Sequence, residues 1–245
     1  MKSKLSWLLF LLLLLLGSGL FAQQQLTVEV IHCQGPLFFR GPEKPPDAWE
    51  VLTVGTCLGV GTTIRVGDTS SAELILADFC LHLNPETQLI LKNLAVEGET
   101  LRVELHLLSG GIWSKIMKTL HNLLHYEVVT PTAVAGVEGT IFSVDYLGEA
   151  TEILVAEGTV AVRDRIGRKV TLLAKEKVKV TSSGIFHPAL NAEDKERIER
   201  MKQWGQAQDD ISHKSDVSKT GQQITAPQKG SNGAGKGASG KGGPK

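Results

Sequence analysis

The sequence is poor in cysteine and in aromatic residues, and it has no net charge. Its 245 residues include three cysteines, and its 26 basic side chains balance 26 acidic ones. Three cysteines are too few for a disulfide-dense scaffold, and their spacing does not match a zinc ribbon or finger. The zero net charge argues against a protein that holds nucleic acid on a large basic surface. Because 42% of the residues are apolar, the composition is typical of a globular protein.

The sequence also lacks the short motifs that carry catalysis. It has no G-x-S-x-G nucleophile elbow and no Gly-Lys-Ser/Thr phosphate-binding loop. His121 and His125 have the spacing of a shared helix face, but the glutamate that a zinc protease needs beside them is absent. We interpret this pair as the polar edge of a helix, with a metal site as the alternative. We predict that the protein is not an enzyme and has no metal and no cofactor.

The N-terminus is typical of an export signal. A short basic segment precedes an apolar run that ends at Leu16, and a Gly-Ser-Gly breaker follows. We predict cleavage between Ala22 and Gln23, which gives a periplasmic or secreted protein. An uncleaved anchor is the alternative, since Leu20 is larger than the residue favoured three positions before a cleavage site. Only in that case do we expect contact with a membrane.

The C-terminus also differs from the middle of the chain, since it is polar where the N-terminus is apolar. Residues 205–245 are rich in glycine and lysine and contain almost no large apolar side chain. Such a segment buries too little surface to offset its chain entropy, so we predict a disordered tail. A weak contact of its lysines with an anionic envelope polymer is the second interpretation.

The middle of the chain has the periodicity of β-strands. From Leu26 to Thr181, apolar residues alternate with polar or small ones, and turn residues recur at short intervals. The clearest hairpin candidate turns at Glu157 and Gly158. We predict an all-β fold, a twisted, antiparallel-rich β-sandwich or roll of many short strands with a short C-terminal helix. A β-solenoid-like fold is the alternative.

Composition divides the chain into five parts. After a signal peptide at 1–22, we expect residues 23–60 to form an annex of one strand and a proline-rich loop. The main β domain covers 61–184, a linker and a short helix capped by Asn191 cover 185–204, and the tail follows from 205. Within the main domain, Ser114–His125 has apolar residues at helical spacing, which predicts a short amphipathic helix or a structured crossover.

The three cysteines permit one disulfide. An exported compartment is oxidising, and Cys57–Cys80 is the first choice because both residues lie in the denser β region. Three pairings are possible from the sequence, and buried reduced thiols are the other interpretation.

Several stretches follow, in order, the pattern of a known domain family. The first begins Gly61-Thr-Thr-Ile-Arg-Val-Gly, and another is Leu107-Leu-Ser-Gly-Gly-Ile-Trp113. The most specific stretch contains Thr-Pro-Thr-Ala-Val-Ala-Gly-Val-Glu-Gly-Thr-Ile-Phe, and a strand pair over 153–162 closes the pattern. Residues 61–162 therefore resemble the FecR domain.

Seven residues carry the most specific part of this resemblance, and we interpret them as structural rather than ligand-binding. They are Thr130, Pro131, Gly136, Val137, Gly139, Thr140 and Phe142. Glu138 stands where the family usually has an arginine, so any role of that positive charge is absent or reversed in this chain.

The resemblance implies an exported, non-catalytic interaction module. The family's best-known members are envelope regulators of iron uptake, with a cytoplasmic anti-sigma region and a terminal module that meets a transporter. Only six residues precede Trp7, so we expect no anti-sigma region here. We expect an envelope protein as the partner and no nucleic acid.

A cell-wall carbohydrate-binding module is the alternative function. Sugars stack on flat aromatic faces, and Trp49 and Trp113 are the candidates for that contact. The partner would then be a cell-wall polymer.

Overall fold

The structure is a computed structural model that describes residues 26–76, 79–117 and 123–222. These residues form an all-β body followed by a helix, which confirms the predicted fold class. The strands are β1 (Val28–Gln34), β2 (Leu37–Arg40), β3 (Glu50–Val51), β4 (Cys57–Leu58), β5 (Thr63–Val66), β6 (Ser71–Leu76), β7 (Phe79–Leu83), β8 (Gln88–Glu97), β9 (Thr100–Ile116), β10 (Leu123–Val129), β11 (Ala133–Leu147), β12 (Ala150–Asp164), β13 (Lys169–Leu173), β14 (Lys177–Val180) and β15 (Ile185–Phe186), and the helix is α1 (Ala192–Gln222).

The sheet is bent into two layers, because its three longest strands change neighbours halfway along. Residues 100–109 of β9 pair with β8, whereas its residues 110–116 pair with β7 or β11. The strands β11 and β12 change partners in the same way. Strands that bend from one layer into the next form the corner of a roll.

We name the two layers A and B. Layer A runs in the order β4, β1, β6, β7, the second half of β9, the second half of β11, the first half of β12, β14 and β15. Layer B runs in the order β3, β2, β5, β8, the first half of β9, β10, the first half of β11, the second half of β12 and β13. Among the described strands, pairing is antiparallel except between β9 and β10.

The hydrophobic core fills the space between the layers. The Tyr126 ring of layer B lies edge-on to two rings of layer A, with centroid distances of 5.5 Å to Phe79 and 6.2 Å to Phe142. All three side chains are fully buried. Aromatic pairs in this arrangement stabilise a core beyond their area burial, by about 0.5–1.5 kcal/mol each.

Glycines make the corner possible at the most crowded crossings. Gly110 has φ of 77°, and a Cβ there would lie 2.5 Å from the Thr87 Cα. Gly158 has φ of 82°, and a Cβ there would lie 2.7 Å from the Gly139 carbonyl oxygen. The predicted hairpin at Glu157 and Gly158 is therefore wrong: β12 continues through these residues and bends from layer A into layer B.

The helix α1 begins as predicted and is longer than predicted. The Asn191 side chain accepts from the Asp194 amide at 2.8 Å, and the Asp194 carboxylate accepts from the Asn191 amide at 3.0 Å. This reciprocal pair is a capping box. The helix extends to Gln222, so the predicted boundary at residue 204 and a tail that starts at 205 are wrong. Residues 206–222 belong to a second compact unit, and 223–245 lie outside the described residues.

Two other expectations differ from the structure. The segment 23–60 is not an annex, because β1 pairs with β6 and β2 pairs with β5 inside the same roll. The helix predicted over Ser114–His125 is wrong at both ends, where β9 continues to Ile116 and β10 begins at Leu123. In the described parts of the chain, no helix has both the length and the apolar content to cross a membrane.

Candidate functional site

The outer face of layer A is covered by the first turns of α1. The buried side chains of Ile198 and Met201 pack there against Ile141, Leu154 and Ala156. This second apolar cluster lies outside the main core, so both faces of layer A are buried along the helix.

Charged groups hold the helix against this face. The Arg197 guanidinium donates to the carboxylate of Asp145 and to the hydroxyl of Ser143. Burial raises the pKa of Asp145, and Arg197 limits that rise. Lys177 of β14 lies 2.7 Å from the Asp194 carboxylate. Burial opposes ionisation of Asp194, but the hydrogen bond from Lys177 and that from the Asn191 amide keep its pKa below the usual value.

The two tryptophans proposed for sugar stacking already have partners. The Trp113 ring stacks on His82 with centroids 5.0 Å apart, and Trp204 of α1 lies edge-on to it at 6.2 Å. The guanidinium carbons of Arg40 and Arg65 lie 5.0 Å and 4.7 Å from the centroid of the Trp49 ring. Both rings therefore already contact other side chains of the protein.

The first residues of the family motif form the turn between β10 and β11. The Thr130 hydroxyl accepts from the Ala133 amide at 2.9 Å, and it lies 2.6 Å from the hydroxyl of Thr151. The Thr132 hydroxyl also lies 2.6 Å from Thr151. Thr130 is in layer B and Thr151 in layer A, so this hydroxyl cluster joins the layers at the end of the roll opposite the corner.

The remaining motif residues lie along β11. Gly136 and Val137 pair with β10 and β12 in layer B, and Phe142 is in the core. Gly139 has φ of 59°, next to the buried Thr140, where the register with β12 shifts. The motif therefore follows the path of one bent strand and does not converge on a cavity as a group.

A cavity of about 200 Å³ lies at the open end of the roll, between three turns. Hydroxyl and guanidinium groups dominate its polar lining. The lining residues are Pro131, Thr132, Asp164, Arg165, Ile166, Arg168, Thr181 and Ser182. One motif residue, Pro131, and its neighbour Thr132 thus contribute to a concave surface. We name it the end cavity.

Asp164 orders the turn that lines the end cavity. Its carboxylate accepts from the amides of Ile166 at 3.1 Å and Arg168 at 2.8 Å, and from the Arg168 side chain at 2.6 Å. Burial opposes ionisation, but the bonds from Arg168 keep the pKa of Asp164 below its usual value. Arg165 makes no hydrogen bond or ion pair within the described parts of the chain, so its guanidinium remains available.

The strand that follows this turn is an open edge of layer B. Among the described strands, β13 pairs with β12 alone. The Asp164 amide donates to the Arg168 carbonyl at 3.0 Å, which fixes the alternation of main-chain groups along β13. Val170 and Leu172 direct their amide and carbonyl groups toward β12. The amide and carbonyl groups of Lys169, Thr171 and Leu173 point away from it.

The predicted disulfide does not form in the structure. The pairing register aligns Cys57 with Glu29, Glu29 with Ile75, and Ile75 with Cys80. Three inter-strand spacings separate the two cysteines by about 14 Å, whereas the Cα atoms of a disulfide lie within about 7 Å. Cys57 is exposed and is not disulfide-bonded. The predicted cleavage site at Ala22 and Gln23 lies outside the described residues.

The open edge and the end cavity were not predicted from the sequence. The available signal was the run Arg163-Asp-Arg-Ile-Gly-Arg-Lys169, a turn with four basic residues in a chain of zero net charge. No group of histidine, cysteine, aspartate and glutamate in the described residues is arranged to hold a metal ion.

Comparison with known proteins identifies the domain. Residues 62–161 match the family model described as FecR protein, so this part of the chain is a FecR domain. No curated protein matches the chain. Two crystal structures from Parabacteroides distasonis, each described as a "putative anti-sigma factor", are similar to it at 24% identity and a TM-score of 0.44. The match covers 54% of this chain and 61% of each of those chains.

Proposed function

We propose that this FecR-domain protein is exported and acts as a non-catalytic protein–protein interaction or signalling module of the cell envelope. The family match supports a regulatory role in the envelope, which is the setting that the FecR resemblance implies. The observation that carries the proposal is the open β13 edge of the domain. Unpaired main-chain groups at a sheet edge bind a strand of another protein by β-augmentation.

Export is the part of the proposal that rests on the N-terminal sequence. The basic segment and the apolar run ending at Leu16 support a signal peptide. We expect the mature chain to begin at Gln23 and to fractionate with periplasmic or secreted proteins. Sequencing of the mature N-terminus together with cell fractionation tests this. Recovery of a chain that still carries residues 1–22 in the membrane fraction would instead establish an anchored protein.

The interaction itself is tested with envelope extract and the full mature chain. A tagged chain is treated with a short chemical cross-linker in the extract and recovered under denaturing conditions. We expect the same protein partner in independent preparations. The matched control is the same tagged chain, heat-denatured before it is added. Failure to recover any protein above that control would contradict the proposed function.

A further inference from the structure

We propose that the β13 edge and the end cavity bind an extended acidic segment of a partner protein. The segment would add as a strand to β13 and place one carboxylate in the cavity. This inference rests on the proposed function and specifies the chemistry of its partner. Three observations carry it: the main-chain groups at the edge, the local charge, and the size and lining of the cavity.

The outward main-chain groups available for strand addition are those of Lys169 and Thr171, because the amide and the carbonyl of Leu173 are both bonded to Glu176. Thr171 is exposed in the middle of β13, and its amide and carbonyl face away from β12. The Leu173 amide, also on the outward side, donates to the Glu176 carboxylate at 2.7 Å. The chain thus already places one carboxylate on this row of donors, which shows that an acidic group is compatible with the edge.

The charge around the edge is positive although the chain is neutral. From Arg163 to Glu176 there are five basic and two acidic residues. Both acidic side chains are engaged, Asp164 with Arg168 and Glu176 with a main-chain amide. Lysines and arginines on an edge strand discourage pairing with a copy of the same edge, and they favour a strand of opposite charge.

Exposed apolar side chains complete this surface. Leu173 and Ile166 are 57% and 76% exposed at the two ends of the edge. Side chains of an added strand alternate between the two faces of the sheet. A strand in which acidic and β-branched residues alternate therefore matches both the charge and the apolar contacts.

The end cavity has room for a single acidic side chain. Its volume of about 200 Å³ is smaller than the roughly 300–1,000 Å³ of a typical small-molecule pocket. Asp164 holds Arg168 in place, and Arg165 contributes a second guanidinium that has no partner among the described residues. Guanidinium groups bind carboxylates through strong charge-assisted hydrogen bonds. Because the cavity turn leads directly into β13, a strand that runs past Lys169 reaches it.

The proposal is tested on the full mature chain with a defined peptide. The probe is a fluorescein-labelled decapeptide of alternating glutamate and valine, and its control replaces every glutamate with glutamine. We expect the acidic peptide to bind, measured by fluorescence anisotropy, and the glutamine peptide to bind at least about tenfold more weakly. Equal binding of the two peptides would overturn the role of charge.

Two pairs of variants locate the site. Thr171→Pro removes an outward N–H without removing the bonds to β12, so it should weaken peptide binding at least about tenfold. Its control, Thr171→Ala, keeps the amide and should keep the affinity. Arg165→Gln should weaken binding by a similar factor, whereas Lys92→Gln, which removes one exposed charge from β8, should not. Loss of affinity in the controls alone, or no loss in Thr171→Pro and Arg165→Gln, would overturn the assignment.

A measurement on the unmodified chain covers the case in which Thr171→Pro does not fold. Amide hydrogen exchange of Thr171 should slow when the acidic peptide is added, since its outward N–H becomes hydrogen-bonded. Unchanged exchange at saturating peptide would contradict strand addition. Equal binding of heparin or anionic phospholipid vesicles, with no protection of Thr171, would show a nonspecific polyanion surface and would also overturn the proposal.

The two proposals fail in different ways. If cross-linking recovers an envelope partner and the acidic peptide does not bind, the edge assignment is wrong and the interaction module stands. If the peptide binds and no partner is recovered, the edge chemistry stands and the proposed function is wrong.

Discussion

Removal of Arg197 tests how the helix is held on the outer face of layer A. Its guanidinium donates to Asp145 and Ser143, both of which are buried. The change Arg197→Met keeps the aliphatic length of the side chain and removes its charge. It leaves the Asp145 carboxylate buried without its positive partner, which is the costly half of a broken ion pair.

The burial of the pair and the pH together determine how much unfolding free energy Arg197→Met removes. Breaking a buried pair costs about 3–5 kcal/mol, and the side chains of Arg197 and Asp145 retain 23% and 13% exposure. We therefore expect the lower end, a loss of about 3 kcal/mol in the free energy of unfolding at pH 7. The uncompensated carboxyl can also take up a proton, and each unit of pH changes the free energy of that step by about 1.4 kcal/mol.

The pH dependence has a definite sign. Burial already raises the pKa of Asp145 in the unmodified chain, and removing Arg197 raises it further. Between the unfolded pKa of about 3.9 and the raised native value, the native variant binds more protons than its unfolded state. Its stability relative to the unmodified chain therefore increases as the pH falls. The loss of about 3 kcal/mol at pH 7 should become smaller at pH 5, by at most about 1.5 kcal/mol.

Urea unfolding followed by circular dichroism at the two pH values measures these losses. The double change Asp145→Asn with Arg197→Met should recover most of the loss, since no buried charge remains. Arg200→Met is the control, because Arg200 pairs with Glu196 on the exposed side of the same helix, and it should change stability by less than about 0.5 kcal/mol. The reasoning is refuted if the loss for Arg197→Met is the same at both pH values.

Two further predictions concern the core of the roll. Gly158→Ala should destabilise the protein by about 2 kcal/mol or more, since φ is 82° and the new Cβ would lie 2.7 Å from the Gly139 oxygen. Gly148→Ala, at φ of 70° with open space around it, should cost about 1 kcal/mol, and equal losses in thermal denaturation would disprove crowding at the corner. Tyr126→Phe should cost about 1–2 kcal/mol, because it removes a buried hydroxyl 2.9 Å from the Ser114 hydroxyl. Burial raises the pKa of Tyr126, so an alkaline absorbance titration should show its ionisation only on unfolding; ionisation in the folded protein would count against this account.

Alternation predicted the all-β class because most strands bury one face. In the first half of β9, Leu101, Val103, Leu105 and Leu107 are buried and their neighbours are not. Past the corner the pattern disappears: Ser114, Lys115 and Ile116 are all buried, because the helix covers the outer face there. A strand buried on both faces has no period of two, so the sequence around Ile116 fitted helical spacing instead.

Bends were harder to predict than strands. Gly158 and Gly148 both have positive φ, yet the first lies inside β12 and the second in the hairpin between β11 and β12. A glycine with positive φ allows either a bend within a strand or a hairpin turn. Which of the two forms depends on which distant strands pair on each side of the glycine. For the same reason Gly35, at the junction of β1 and β2, gave no indication that both strands belong to the main roll.

The family motif was located from sequence, but the candidate binding surface was not, because an edge is a property of topology. The chain is neutral as a whole, while the segment from Arg163 to Glu176 carries five basic residues against two acidic ones. That excess of positive charge indicates a binding surface only because β13 is the last strand of layer B. Layer A is different, since α1 covers its outer face and uses charged groups to do so. A partner strand can therefore pair with β13 at an edge where the unengaged charge is positive.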